Sequence, residues 1–204
     1  MQSIAIIDYG MGNIHSVKKV LEACGGSPFV TNDPGKIKKA DKVVLPGVGA
    51  FGDAMAELLK RGLADSIREH AAGRKILLGI CLGMHLFFQS SEESEGVAGL
   101  GILKGKVVKF QAGLGYKIPH MGWNQICFQK ADCPLFKGMV NGSSVYFCHS
   151  YYSRPDDGSC VAASTEYASE FASIVWQDNV YAMQFHPEKS QSVGLSLIEN
   201  FVRL

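Results

Sequence analysis

The sequence predicts a single α/β domain over residues 1–204, with a mixed, mainly parallel central sheet flanked by helices and an antiparallel C-terminal portion. Three observations carry this. Short, near-continuous apolar runs alternate with helix-period segments through the first half, as expected of parallel strands buried on both faces and joined by crossover helices. Strand-like segments then crowd the second half without helices between them. At 204 residues and 47% hydrophobic, the chain is long enough to bury a full core, and neither a linker nor an internal repeat divides it.

The elements follow in order. Residues 3–8 form a first strand: the apolar run is short, has no basic leader and ends at Asp8, so it reads as a strand and not as a signal peptide. Residues 13–23 place Ile14, Val17, Val20 and Leu21 on one helical face and stop at Gly25-Gly26. A short strand is expected at 28–31, a helix capped by Asp33 with Pro34 in its first turn, and a buried strand at 42–45. Helices are expected at 53–61 and 63–72. The apolar run Lys75-Ile76-Leu77-Leu78 then leads into a helical segment at 82–90. The acidic stretch Ser90-Ser91-Glu92-Glu93-Ser94-Glu95-Gly96 reads as a solvated loop. Further strands are expected at 105–110, 123–128, 145–152, 161–165, 171–177 and 180–185, the last two joined by a hairpin turn at Asp178-Asn179. Residues 190–204 carry Val193, Leu197, Ile198 and Phe201 at helical spacing.

Composition excludes several functions. The net charge is +1, and the 20 basic residues are spread along the chain rather than gathered in a stripe, so no nucleic-acid partner is expected. No apolar stretch approaches membrane-spanning length. Cys24, Cys81, Cys127, Cys133, Cys148 and Cys160 are expected to be thiols in a reducing cytoplasm, because a core of this size needs no disulfide staples. None forms a Cys-x-x-Cys pair and no His/Cys cluster has zinc spacing, so neither a metal nor another cofactor is expected.

Chemistry concentrates at Gly79-Ile80-Cys81-Leu82-Gly83, which reads as strand, tight turn, helix. A thiol there sits at the carboxyl end of a buried strand, and the N–H of Leu82 is placed to bind an oxyanion. The pattern alone also fits a buried structural cysteine between packing glycines. A nucleophile needs a base. His70, among Arg68 and Glu69, reads as solvated; His149 follows Cys148 on the opposite face of a strand and cannot pair with it. His186 differs, because Pro187 keeps its backbone extended and Glu188, two residues on, projects to the same side. A carboxylate on one ring nitrogen orients the other toward a thiol, which makes Cys81, His186 and Glu188 a candidate triad.

The loop Gly47-Val48-Gly49-Ala50-Phe51-Gly52 matches the dinucleotide pattern Gly-x-Gly-x-x-Gly. It follows a third strand rather than a first, however, and the next strand offers no acid for a ribose. Its other use is a strap whose backbone N–H groups face the thiol across neighbouring strand ends, supplying a second oxyanion donor.

Together, Pro46-Gly47-Val48-Gly49, Gly79-Ile80-Cys81-Leu82-Gly83 and Gln184-Phe185-His186-Pro187-Glu188 resemble the class I (triad) glutamine amidotransferases. Asp8-Tyr9-Gly10-Met11-Gly12-Asn13, Pro119-His120-Met121-Gly122-Trp123-Asn124 and Glu188-Lys189-Ser190-Gln191 narrow the resemblance to the glutaminase subunits that serve imidazole glycerol phosphate synthase. The resemblance implies that Cys81 attacks the side-chain amide of L-glutamine, and that His186, held by Glu188, protonates the departing ammonia and then activates water. It further implies that Val48 and Leu82 present N–H groups to the oxyanion, and that Gly47, Gly49, His149, Ser150 and Tyr151 cradle the substrate. His85 stands where the family usually has a substrate-holding glutamine; it could keep that contact or, if charged, perturb the thiol. The implied partner is a (β/α)8 cyclase subunit in a heterodimer, with Asn13, Trp123 and Lys189 at the interface. The same three residues read locally as a helix N-cap, a core aromatic and a solvated charge. The other readings are a triad glutaminase serving a different synthase and a catalytically weak binding subunit, the latter suggested by His85.

Overall fold

A computed structural model describes residues 2–111 and 115–204. The order is β1 (Ser3–Ile7), α1 (Ile14–Ala23), β2 (Ser27–Thr31), α2 (Pro34–Lys39), β3 (Lys42–Gly47), α3 (Phe51–Lys60), α4 (Leu63–Ala72), β4 (Ile76–Cys81), α5 (Leu82–Leu86) and β5 (Ser90–Ser91). There follow β6 (Gly105–Lys109), β7 (His120–Gln125), β8 (Cys127–Phe128), β9 (Ser144–His149), β10 (Tyr151–Pro155), β11 (Val161–Tyr167), β12 (Ser169–Gln177), β13 (Val180–Met183) and α6 (Gln191–Arg203). Among the described residues the main sheet runs β2-β1-β3-β4-β13-β12-β11-β8. It is parallel from β2 to β13 and antiparallel beyond.

Strand alternation divides the core into two layers. Ala5, Ile7, Val43, Leu45, Leu77, Val180 and Ala182 face one layer, and Ile4, Ile6, Val44, Leu78, Ile80, Tyr181 and Met183 the other. Helices α2, α3 and α4 cover the first with Ile37, Phe51, Met55, Leu58, Leu63 and Ile67. Helices α1 and α6 cover the second with Val17, Leu21, Leu197, Ile198 and Phe201. The strands are apolar on both sides because each side meets a helical layer. Asp33 caps α2 as its sequence indicates, accepting from the N–H of Gly35 at 2.8 Å.

Several expectations are corrected. The helix expected over 82–90 ends at Leu86, because the carbonyls of Leu86, Phe87 and Phe88 are taken by the N–H groups of Leu100, Leu103 and Gly101. The strand expected over 123–128 is two strands in different sheets: β7 pairs with β9, and β8 with β11. Residues 145–152 likewise break at Ser150, β9 joining β7 and β10 joining β6. His70 is not solvated but 2% exposed, its Nε2 3.1 Å from the carbonyl of Ile76, and burial pushes its pKa below the ordinary value. The acidic stretch is not wholly a loop either, since β5 pairs with β6.

Candidate active site

The register of the parallel strands assembles the site. Gly47 at the end of β3 lies opposite Cys81 at the end of β4, and on the other side of β4, Met183 of β13 lies opposite Ile80. Three segments distant in sequence therefore leave the sheet side by side at its carboxyl edge: the glycine strap 47–49, the Cys81 turn, and 184–188. Carboxyl ends of parallel strands are where open α/β sheets place their sites.

Cys81 has φ 54° and ψ −110°, a strained conformation for a residue with a Cβ. The turn ends β4 and starts α5 without an intervening residue, so Leu82, the first residue of α5, has an N–H with no acceptor within that helix. Such sharpness requires close backbone packing: a Cβ on Gly83 would lie 1.8 Å from the carbonyl oxygen of Leu45.

The side chains of His186 and Glu188 are 5% and 2% exposed, and His186 Nδ1 is 2.9 Å from Glu188 Oε1. Cys81 is the other group that acts on the His186 ring. Burial opposes a charged imidazole, but the hydrogen bonds and negative charge of Cys81 and Glu188 outweigh it and raise the His186 pKa to about 10. A ring so placed, between the Cys81 sulfur and the Glu188 carboxylate, has the arrangement required for nucleophilic attack followed by protonation of a leaving group.

A cavity of about 380 Å³ opens over these residues, lined by Val48, Gly49, Cys81, Leu82, His85 and Glu93 on one side. Pro119, Cys148, His149, Ser150, Tyr151, His186 and Lys189 complete the wall. Gly47 is not in the lining but behind it, where an added Cβ would stand 2.5 Å from the Tyr9 hydroxyl and 2.9 Å from Leu82 Cβ. The Tyr9 hydroxyl donates to the carbonyl of Pro46 at 3.0 Å and so holds the strap from beneath. Gly49, with φ +105°, turns the strap over the cavity in a conformation that suits glycine.

His85 is 5% exposed, and its Nε2 lies 2.7 Å from Gln184 Oε1. Burial lowers its pKa to about 4, so it is neutral at pH 7 and the charged alternative falls away. Lys189 lines the mouth, with its ammonium 5.9 Å from the ring centre of Tyr146. Trp123 is 49% exposed rather than in the core; it meets Tyr146 edge-on and lies outside the cavity lining. Asn13 sits at the N-cap of α1 without a side-chain cap bond and also lies outside the lining.

Sequence reasoning missed Glu93, Pro119 and Cys148. Glu93 is the instructive case, because within an acidic run nothing local distinguishes it. Its Oε2 accepts from the N–H of Phe51 at 2.8 Å, which brings the carboxylate over the start of α3 and into the cavity wall. Among the described residues no His, Cys, Asp and Glu group is arranged to hold a metal ion, and no helix is long and apolar enough to cross a membrane.

Residues 5–204 match the family model described as "Glutamine amidotransferase class-I". The chain is 51% identical over 203 residues to "Imidazole glycerol phosphate synthase subunit HisH" of Syntrophotalea carbinolica, covering 97% of this chain and 98% of that protein. It is 48% identical over 201 residues to the subunit of the same description from Methanocaldococcus jannaschii, covering 98% and 99%. Among solved structures, PurLQS from Thermotoga maritima superposes with TM-score 0.75 at 21% identity, covering 98% of this chain and 96% of that one. The glutaminase domain of Trypanosoma brucei CTPS gives TM-score 0.71 at 14% identity, covering 100% and 94%. At such identities these structures speak for the fold alone.

Proposed function

From the premise that the chain belongs to the class I glutamine amidotransferases, we propose that it is the glutaminase subunit of imidazole glycerol phosphate synthase, acting in histidine biosynthesis. It hydrolyses L-glutamine to glutamate and ammonia, and the ammonia passes to a (β/α)8 cyclase subunit in a heterodimer. The whole chain serves as one glutamine amidotransferase domain. The observation that carries the reading is the convergence of Cys81, His186 and Glu188 at adjacent strand ends beside a cavity.

In this mechanism the Cys81 thiolate attacks the side-chain amide carbon, and the backbone N–H groups of Leu82 and Val48 receive the oxyanion. The imidazolium of His186 protonates the departing nitrogen, releasing ammonia and leaving a thioester. His186, now neutral, takes a proton from water, which attacks the thioester and releases glutamate. Glu188 keeps the ring oriented and stabilises its charge in both steps. The α-ammonium of glutamine meets the Glu93 carboxylate, and the Ser150-Tyr151 turn closes over the substrate. Asn13, Trp123 and Lys189 face the cyclase subunit.

Glutamine hydrolysis measured with and without the cyclase subunit tests the reading. A folded Cys81→Ala variant is expected to lose turnover entirely; retained turnover would remove Cys81 from the nucleophile's role.

A further inference from the structure

Beside the cavity lies a second pair of imidazoles. His120 in β7 and His149 at the end of β9 face each other across the two-stranded sheet, 3% and 6% exposed, with His120 Nδ1 2.9 Å from His149 Nε2. His149 lines the cavity and His120 does not. His120 is stacked between Tyr167 at 3.9 Å and Phe147 at 4.8 Å, and Phe110 and Phe171 approach both rings.

Both ends of this hydrogen-bond chain have a fixed direction. At one end His149 Nδ1 is 2.8 Å from the carbonyl oxygen of Tyr151, which can only accept, so Nδ1 carries a hydrogen. At the other, the amide of Asn124 is oriented by two backbone groups: its Oδ1 accepts from the N–H of Gln125 at 2.8 Å and its Nδ2 donates to the carbonyl of Glu166 at 3.0 Å. Asn124 Nδ2 therefore also presents a hydrogen to His120 Nε2, at 3.4 Å. Between a fixed donor and a fixed acceptor only one proton arrangement satisfies every contact. Asn124 donates to His120 Nε2, His120 Nδ1–H donates to His149 Nε2, and His149 Nδ1–H donates to Tyr151. Each ring is neutral and in the Nδ1–H form. A further proton on either ring would set N–H against N–H.

The geometry points to His120 as a positioning residue for glutamine hydrolysis: it fixes His149 as a neutral ring and, through it, holds the Ser150-Tyr151 turn that closes the cavity. This rests on the glutaminase reading above. Burial acts in the same direction, lowering the pKa of His120 to about 4 and that of His149 well below its ordinary value, with the charge on His186 adding repulsion at His149. The consequence is electrostatic. His186 is the imidazole that must carry charge between Cys81 and Glu188, and a second imidazolium in the same wall would repel it. With its Nε2 lone pair occupied by His120, His149 neither takes a proton nor competes as a base.

Nitrogen-15 NMR of histidine-labelled full-length protein at neutral pH tests the proton arrangement directly. Both His120 and His149 are expected as neutral Nδ1–H forms; either ring found charged or in the Nε2–H form overturns the proposal. Steady-state kinetics test the consequence. His120→Phe keeps a stacking ring but removes the donor, and is expected to raise KM for glutamine about fivefold or more, the scale of one lost hydrogen bond, with a smaller fall in kcat. His120→Asn returns an N–H near the Nδ1 position and is expected to recover most of the loss. A folded His120→Phe with unchanged KM, or no recovery in His120→Asn, refutes the positioning role. Should His120→Phe fail to fold, the NMR result on the unaltered protein still decides. Wild-type protein inactive even with the cyclase subunit would instead end the glutaminase reading, and the proton arrangement would then stand or fall on the NMR alone.

Discussion

Cys81 holds a backbone conformation that costs a non-glycine residue roughly 1–3 kcal/mol, with φ at 54°. The cost is compensated by the packing that forces β4 directly into α5. Cys81→Gly is therefore expected to be at least as stable to heat as Cys81→Ala, by about 1 kcal/mol, although it removes one more carbon. Calorimetry of the two variants checks this. At His186 the raised pKa has a stability consequence with a definite sign. A group raised on folding contributes stability that is complete below its unfolded value of 6.5 and is lost as pH climbs toward about 10. Glu188→Gln removes one of the two partners, so the His186 pKa is expected to fall toward 6.5, measurable by NMR titration. Across that interval the wild type should lose its stability margin over the variant as pH rises, and kcat of the variant should drop by roughly 10²–10⁴ if acid–base catalysis is lost. His85 is the residue whose local pattern leaves two roles open. Because it is buried, neutral and bonded to Gln184, His85→Gln is expected to leave the pH dependence of kcat/KM above pH 5 unchanged; a new or vanished ionisation in that range would contradict it.

Among the elements, the turn between β4 and α5 depends on glycines as much as on the cysteine. A Cβ on Gly83 would stand 1.8 Å from the Leu45 carbonyl, a collision with backbone that no rotamer change relieves. Gly83→Ala is expected to destabilise the fold by about 3 kcal/mol or more, seen as a lowered denaturation midpoint. The patterns of these elements are readable because each is a local requirement: apolar runs for strands buried on both faces, Asp33-Pro34 for a cap, Asp178-Asn179 for the hairpin whose first residue takes φ 52°. Where local pattern misleads, a distant partner decides. Helix α5 stops at Leu86 because the 100–103 segment takes its carbonyls, and the breaks at Ile126 and Ser150 occur because the flanking strands join different sheets.

Across the molecule, the first and last parts of the chain are tied by Lys42. Its buried ammonium donates to the carbonyls of Phe201 and Val202 at 3.0 and 2.7 Å, so the start of β3 closes the last turn of α6. Lys42→Met keeps the apolar stem but leaves those carbonyls without it. A loss of about 2 kcal/mol follows from unmet buried acceptors, which for a chain of this size lowers the melting temperature by about 4–8 °C, checked by thermal melts. The α/β class, the alternating strands and helices of residues 3–81 and the identity of the candidate nucleophile, base and carboxylate are legible in the residue string, because each is encoded over a few neighbouring positions. His186 and Glu188 are two positions apart, and Cys81 sits within its own glycine turn. Folding was needed to show which strand ends stand beside Cys81, that Glu93 leaves its acidic run to line the cavity, that His85 is uncharged, and that His120 reaches His149. Those are matters of register and burial between segments up to about a hundred residues apart, as His85 and Gln184 are, and no local pattern carries information about a partner that distant.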